Sequence, residues 1–96
     1  MTASLRPVGE GLAVSGEMTL DSATALLAAG VSVLKQGSAL FDLAAVSDID
    51  SSGLAVLFGW QRAARETGNT LRIVNPPHNL LSLAAMYGVT GLLPLS

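Results

Sequence analysis

Between Ser38 and Glu66 the chain passes from a short apolar run, SALFDL, through a polar stretch, SDIDSSG (Ser47–Gly53), into a segment whose apolar residues recur at helical spacing. An extended segment that feeds a helix through a tight polar connection is half of a parallel crossover, and few folds accommodate it. The same alternation continues on both sides. Val8 to Ser15, VGEGLAVS, carries a Gly-Glu-Gly turn between two short strands. From Asp21 the residues Ala23, Leu26, Leu27, Gly30, Val33 and Leu34 keep helical spacing, with Asp21 or Thr19 as cap and Lys35 and Gly37 as the stop. Strand Ser38–Leu43 follows, then helix Leu54–Glu66, ended by Gly68. Thr70–Val74 alternates as a strand until Asn75, Pro76 and Pro77 stop it; a third helix holds Leu80, Leu81, Leu83 and Ala84, ends at Gly88, and leaves GLLPL as an apolar tail. The predicted class is α/β, a single domain over 1–96, with SDIDSSG as a loop at the carboxyl end of a strand, where such folds carry function.

Composition decides what such a fold can be for. Half of the 96 residues are hydrophobic and 12% are charged, against about 25% in an ordinary domain. Apolar side chains are therefore left over after a small core is filled, and contiguous exposed apolar area marks a binding surface. Net charge is −2 and the five Lys and Arg (Arg6, Lys35, Arg62, Arg65, Arg72) are scattered, so no basic stripe is present to meet nucleic acid. No cysteine is present, the start lacks the apolar segment of a signal peptide, and NPPHN and YGVTG interrupt the longest uncharged stretch well short of a membrane span. The expectation is a soluble cytoplasmic protein.

Asp48, Asp50, Ser51 and Ser52 invite a catalytic reading, which the rest of the chain does not support. A serine nucleophile needs a base, and the single histidine, His78, sits in NPPHN with no nucleophile-elbow pattern anywhere. His78 reads as a solvated residue in the first turn of the third helix. Asp42, Asp48 and Asp50 lack the further ligands of a calcium loop, and Gly53 has no lysine to make a phosphate loop. No metal and no cofactor is expected.

DSSG reads first as a helix N-cap, with Asp50 or Ser51 accepting hydrogen bonds from the first free amides. One residue suffices for that, which leaves a hydroxyl over. At 100° per residue Ser51, Ala55, Gly59, Arg62 and Glu66 share one stripe, opposite a core face of Leu54, Leu57, Phe58 and Ala64. Small residues near Ser51 allow a partner helix to approach closely. Val56 and Trp60 fall on the flank, where Trp60 serves either the core or, as tryptophan often does, a contact.

The string ALFDLAAVSDIDSSGLAVL resembles the STAS domain, whose signature is an apolar strand ending in Asp-Leu, a linker, and Asp-Ser/Thr-Ser/Gly-Gly-Leu opening a helix. It fixes Asp42, Asp50, Ser51, Gly53 and Leu54 together, and VSGEMTLDSA extends the likeness toward the amino terminus. The resemblance implies a small mixed, mostly parallel sheet with three to four helices and no catalysis by the chain itself. Two branches follow from it. In bacterial anti-sigma factor antagonists the hydroxyl after the motif's Asp is phosphorylated by a partner kinase, which maps to Ser51. In the small STAS subunit of the Mla phospholipid-trafficking ABC complex, which maintains outer-membrane lipid asymmetry, the domain binds the cytoplasmic ATPase, peripheral to the inner membrane, and the matching hydroxyl lies at that contact. SGE, the apolar motif helix, LAAMYGVTGLLP and the short length fit the second branch; the Ser51–Ser52 pair fits the first more literally. Partner contacts are then expected at Ser51, Ser52, Ala55, Gly59, Trp60 and Arg62, with Asp50 and Gly53 as motif and cap. Tyr87, beside Gly88 at the end of the third helix, joins them by resemblance and position.

Overall fold

A computed structural model of the chain describes residues 3–8 and 11–95. Strands β1 (Ser4–Val8), β2 (Gly11–Met18), β3 (Ala39–Ile49) and β4 (Leu71–Val74) form one sheet in the order β1-β2-β3-β4. β1 runs antiparallel to β2, and β2, β3 and β4 are parallel. Helix α1 (Leu20–Gln36) links β2 to β3, α2 (Ser51–Glu66) links β3 to β4, and α3 (His78–Met86) leads into a 3-10 turn at Thr90–Leu92. The mixed, mostly parallel sheet and three helices match the expected class. Of the predicted Gly-Glu-Gly turn, Gly9 and Glu10 lie outside the described residues.

β3 departs from its predicted length: it runs on to Ile49, so most of SDIDSSG is strand and helix instead of loop. The reason is its register. Between Leu12 and Met18, six steps of β2 face eight steps of β3 from Phe41 to Ile49, with irregularities between Ala13 and Ser15 and between Gly16 and Glu17. Two extra residues in β3 shift its buried positions from a spacing of two to a spacing of three, giving Phe41, Leu43, Val46 and Ile49. Gly16, at φ 86, takes a conformation that a side chain would strain beside the second irregularity.

The core lies between the sheet and the helices, with Trp60, Phe41, Met18, Leu34, Leu57 and Ile73 among its fully buried side chains. Trp60 is its centre: the indole stands 4.6 Å from the Phe41 ring and donates to the carbonyls of Leu26 (3.0 Å) and Leu27 (3.3 Å) in α1. A buried indole N–H needs such a partner. α1 comes this close because Gly30 has no side chain; a Cβ there would collide with the indole ring. Trp60 is thus a core residue with no exposed surface, which corrects the expectation of a partner contact there. The far ends of the two helices are also tied, Thr67 Oγ1 and Asn69 Nδ2 both donating to Leu34 O.

The C-terminal segment is also more ordered than an apolar tail. Leu93 is buried, Ile73 N donates to Pro94 O at 2.9 Å, and Leu95 bridges in parallel to Ile73 along the outer edge of β4.

Candidate functional site

The N-termini of α1 and α2 stand side by side at the carboxyl ends of β2 and β3, and one carboxylate joins them. Asp50 is the N-cap of α2: its Oδ1 accepts from Ser52 N (2.8 Å) and Gly53 N (3.2 Å), while Oδ2 accepts from Leu20 N (3.3 Å), the first residue of α1. α2 therefore opens at Ser51, three residues before the predicted Leu54. At α1 the cap residue is Thr19, not Asp21, and its N–H is met by Ser22 Oγ at 3.1 Å. Gly53 is needed for packing, since a Cβ would strike Met18 O and the Ile49 side chain, which fixes the first turn of α2 against the strand ends.

Asp50 does all the side-chain capping of α2, so neither Ser51 nor Ser52 is used for it. Among the described residues the hydroxyls of Ser51 and Ser52 make no hydrogen bond; Ser51 is exposed and Ser52 half-buried. Beside them, Leu20 is 74% exposed. Asp48 faces the third helix, accepting from Asn79 Nδ2 at 3.1 Å and from Ile49 N. Sequence reasoning missed Leu20 and Asn79, although a leucine directly after a threonine cap was a readable sign of an apolar side chain at a helix start. Glu17, Asp21, Asp48 and Asp50 make this end of the molecule acidic, and the helix N-termini offset part of that charge. His78, exposed as the first residue of α3, matches its expected place. Farther back on β3, the Asn75 amide (3.0 Å), and after it the Ala44 N–H, hold the Asp42 carboxyl below its ordinary pKa.

The predicted stripe survives in part. Ser51, Ala55, Arg62 and Glu66 are exposed along α2. Gly59 is half-buried, and a Cβ there would lie 2.5 Å from Leu27 Cδ1, so its space serves the approach of α1 to α2. Tyr87 is 56% exposed but stands apart. Asn79 ties the start of α3 to Asp48, and Tyr87 lies past the other end, a helix length of about 14 Å away. Phe58, placed on the core face by its spacing, is only half-buried. Among the described residues there is no group of three potential metal ligands, and no helix is long and apolar enough to cross a membrane.

A four-stranded mixed sheet with helix starts gathered at one end, and two unused hydroxyls on the first turn of α2, defines a small α/β domain with a side-chain surface at that end. The chain belongs to the STAS family: the family model described as Mlab, STAS domain, matches residues 1–94. The intermembrane phospholipid transport system binding protein MlaB of Haemophilus influenzae is 36% identical over 50 residues, 52% of this chain and 48% of that protein. The likeness thus spans about half the length of that relative. Among solved structures, the anti-sigma factor antagonist SpoIIAA of Bacillus in its unphosphorylated form superposes with a TM-score of 0.69 at 19% identity, covering 98% of this chain and 86% of that one. An anti-sigma-factor antagonist (STAS) domain protein from Planctomyces limnophilus does so with a TM-score of 0.72 at 11% identity, covering 99% and 89%. These likenesses establish the fold.

Proposed function

We propose that the chain is a non-catalytic, cytoplasmic subunit that binds the ATPase of an ABC-type phospholipid transport system and supports its activity, peripheral to the inner membrane through that complex. The observation that carries this reading is the free Ser51 hydroxyl: the fold leaves it, with Ser52, Ala55 and the neighbouring Leu20, on a surface that none of the described residues covers. The relative named for intermembrane phospholipid transport supports the choice of partner. Ser51→Glu tests it. At the first position of α2 a carboxylate is tolerated by the helix dipole, whereas inside a dried interface beside Asp50 it costs several kcal/mol. The expected result is a folded protein with strongly weakened ATPase binding and lower ATP turnover of the complex. Undiminished binding in a titration at fixed salt removes Ser51 from the interface.

The same free hydroxyl favours a second reading, an anti-sigma factor antagonist phosphorylated on Ser51 by an anti-sigma factor kinase, and the fold likenesses agree with it. Identification of what co-purifies from native membranes separates the two: an ABC ATPase with its permease, or a kinase.

A further inference from the structure

The opposite end of α2 carries a second feature. Arg62 and Arg65 are one turn apart and exposed, and among the described residues neither guanidinium makes a hydrogen bond or ion pair; Glu66, four residues beyond Arg62, does not pair with it. Both line an open cleft of about 540 Å³, with Phe58 and Gln61 from α2 on one side and Gly91 and Leu92 from the 3-10 turn on the other. The volume is that of an ordinary ligand site. Leu92 is 61% exposed at the rim and Phe58 is half-buried, so the cleft joins apolar surface to two unpartnered guanidinium groups.

We propose that this cleft takes an acidic segment of a partner protein, a Glu or Asp carboxylate held by Arg62 and Arg65 with an adjacent apolar side chain against Phe58 and Leu92. A guanidinium presents paired donors that match a carboxylate, and two of them one turn apart bracket a single acidic group. The chain has a net charge of −2 and only five Lys and Arg, two of which stand here. Docking to an anionic membrane depends on clusters of about four to eight cations, each adding a modest increment. Two cations on an acidic chain fall short of that, which leaves a polypeptide as the occupant. Arg62 also lies on the exposed stripe that starts at Ser51, about 16 Å away along the helix. The proposal rests on the reading of this face as protein-binding, and it supplies the far anchor of the same footprint.

The full-length protein is titrated with an acetylated, amidated tetrapeptide of alternating Leu and Glu, and with the same peptide carrying Gln for Glu, while backbone amides and arginine Nε–Hε resonances are followed by NMR. The Glu peptide is expected to shift the resonances of Arg62, Arg65, Gly91 and Leu92, and to bind less tightly as salt is raised. The Gln peptide, or the Arg62→Gln/Arg65→Gln double variant, should bind at least about tenfold more weakly, the scale of one lost charge-assisted hydrogen bond. Arg62→Lys/Arg65→Lys, which keeps the charge and loses the fork, should fall between. Ser51→Glu should leave peptide affinity unchanged, so failure of the Ser51 interface and failure of the cleft are read separately. The proposal is overturned by equal affinity for the Gln peptide, by shifts spread away from the cleft, or by no binding. It is equally overturned if phosphatidylglycerol vesicles occupy these arginines in place of the peptide, or if sedimentation shows a second copy of the chain filling the cleft.

Discussion

The two faces of α2 divide the work of the molecule. One face, Gly53, Leu54, Val56, Leu57, Trp60, Ala63 and Ala64, is buried, and it makes close fits in the core: Gly53 on the strand ends, Trp60 on Gly30, Phe41 and the α1 carbonyls. The other face, Ser51, Ala55, Arg62 and Arg65, is exposed, and its polar side chains have no partner within the described chain. Substitution on the first face changes whether the protein folds; substitution on the second should change only what it meets.

The sharpest way to break this division is at the core centre. Trp60→Ala should cost roughly 3–5 kcal/mol, read as a fall in the denaturation midpoint, because it leaves a cavity beside Phe41 and removes the tie to α1. A small loss there would show that the buried face is not what holds the fold. Asp50→Ala comes next, at about 1–2 kcal/mol, since the amides of Ser52, Gly53 and Leu20 lose their acceptor together. Asp50→Asn, which keeps an oxygen, should recover most of it. Ser51→Glu should alter stability by no more than about 0.5 kcal/mol. A thermal shift comparable to that of Asp50→Ala would place Ser51 among the structural residues and erase the contrast between the faces.

The smallest effect tests a position away from the helix. Asn75 has φ 54, which glycine accepts without strain, so Asn75→Gly removes the amide beside Asp42 and keeps the turn. The Asp42 carboxyl, now held below its ordinary value, should rise toward that value in an NMR titration. A depressed folded pKa contributes stability above the unfolded pKa and loses it as pH falls through the folded one. The variant should therefore lose slightly less stability on acidification than the parent, by little, because Asp42 is accessible to solvent.

How much of this was legible in the sequence follows from periodicity. α1, β4 and α3 keep a clean period, and their predicted and observed limits nearly coincide. β3 does not, since its two extra residues turn the buried spacing from two to three, and Leu43, Val46 and Ile49 no longer read as a strand. Trp60 is ambiguous in the sequence because helical spacing alone does not show that α2 buries more than one face. The helix packs on the sheet with one side and on α1 with the next, so roughly half its circumference is buried and Val56, Trp60 and Ala63 lie inside. The Ser51 surface was visible as one hydroxyl too many for a cap. The arginine cleft was not, because its far wall, Gly91 and Leu92, is brought to α2 only by the fold.

The C-terminal segment bears on how the protein survives at high concentration. An uncovered outer strand offers a row of backbone donors and acceptors to any neighbouring chain, and a domain with so few charges has little repulsion to prevent that pairing. Pro94 and Leu95 occupy part of the β4 edge, and at the other limit of the sheet β1 is short and carries Pro7 and Arg6. Both margins of the sheet are thereby blunted against self-templated stacking, so the apolar surface of the molecule is not joined to an open strand edge that would seed a polymer of its own copies.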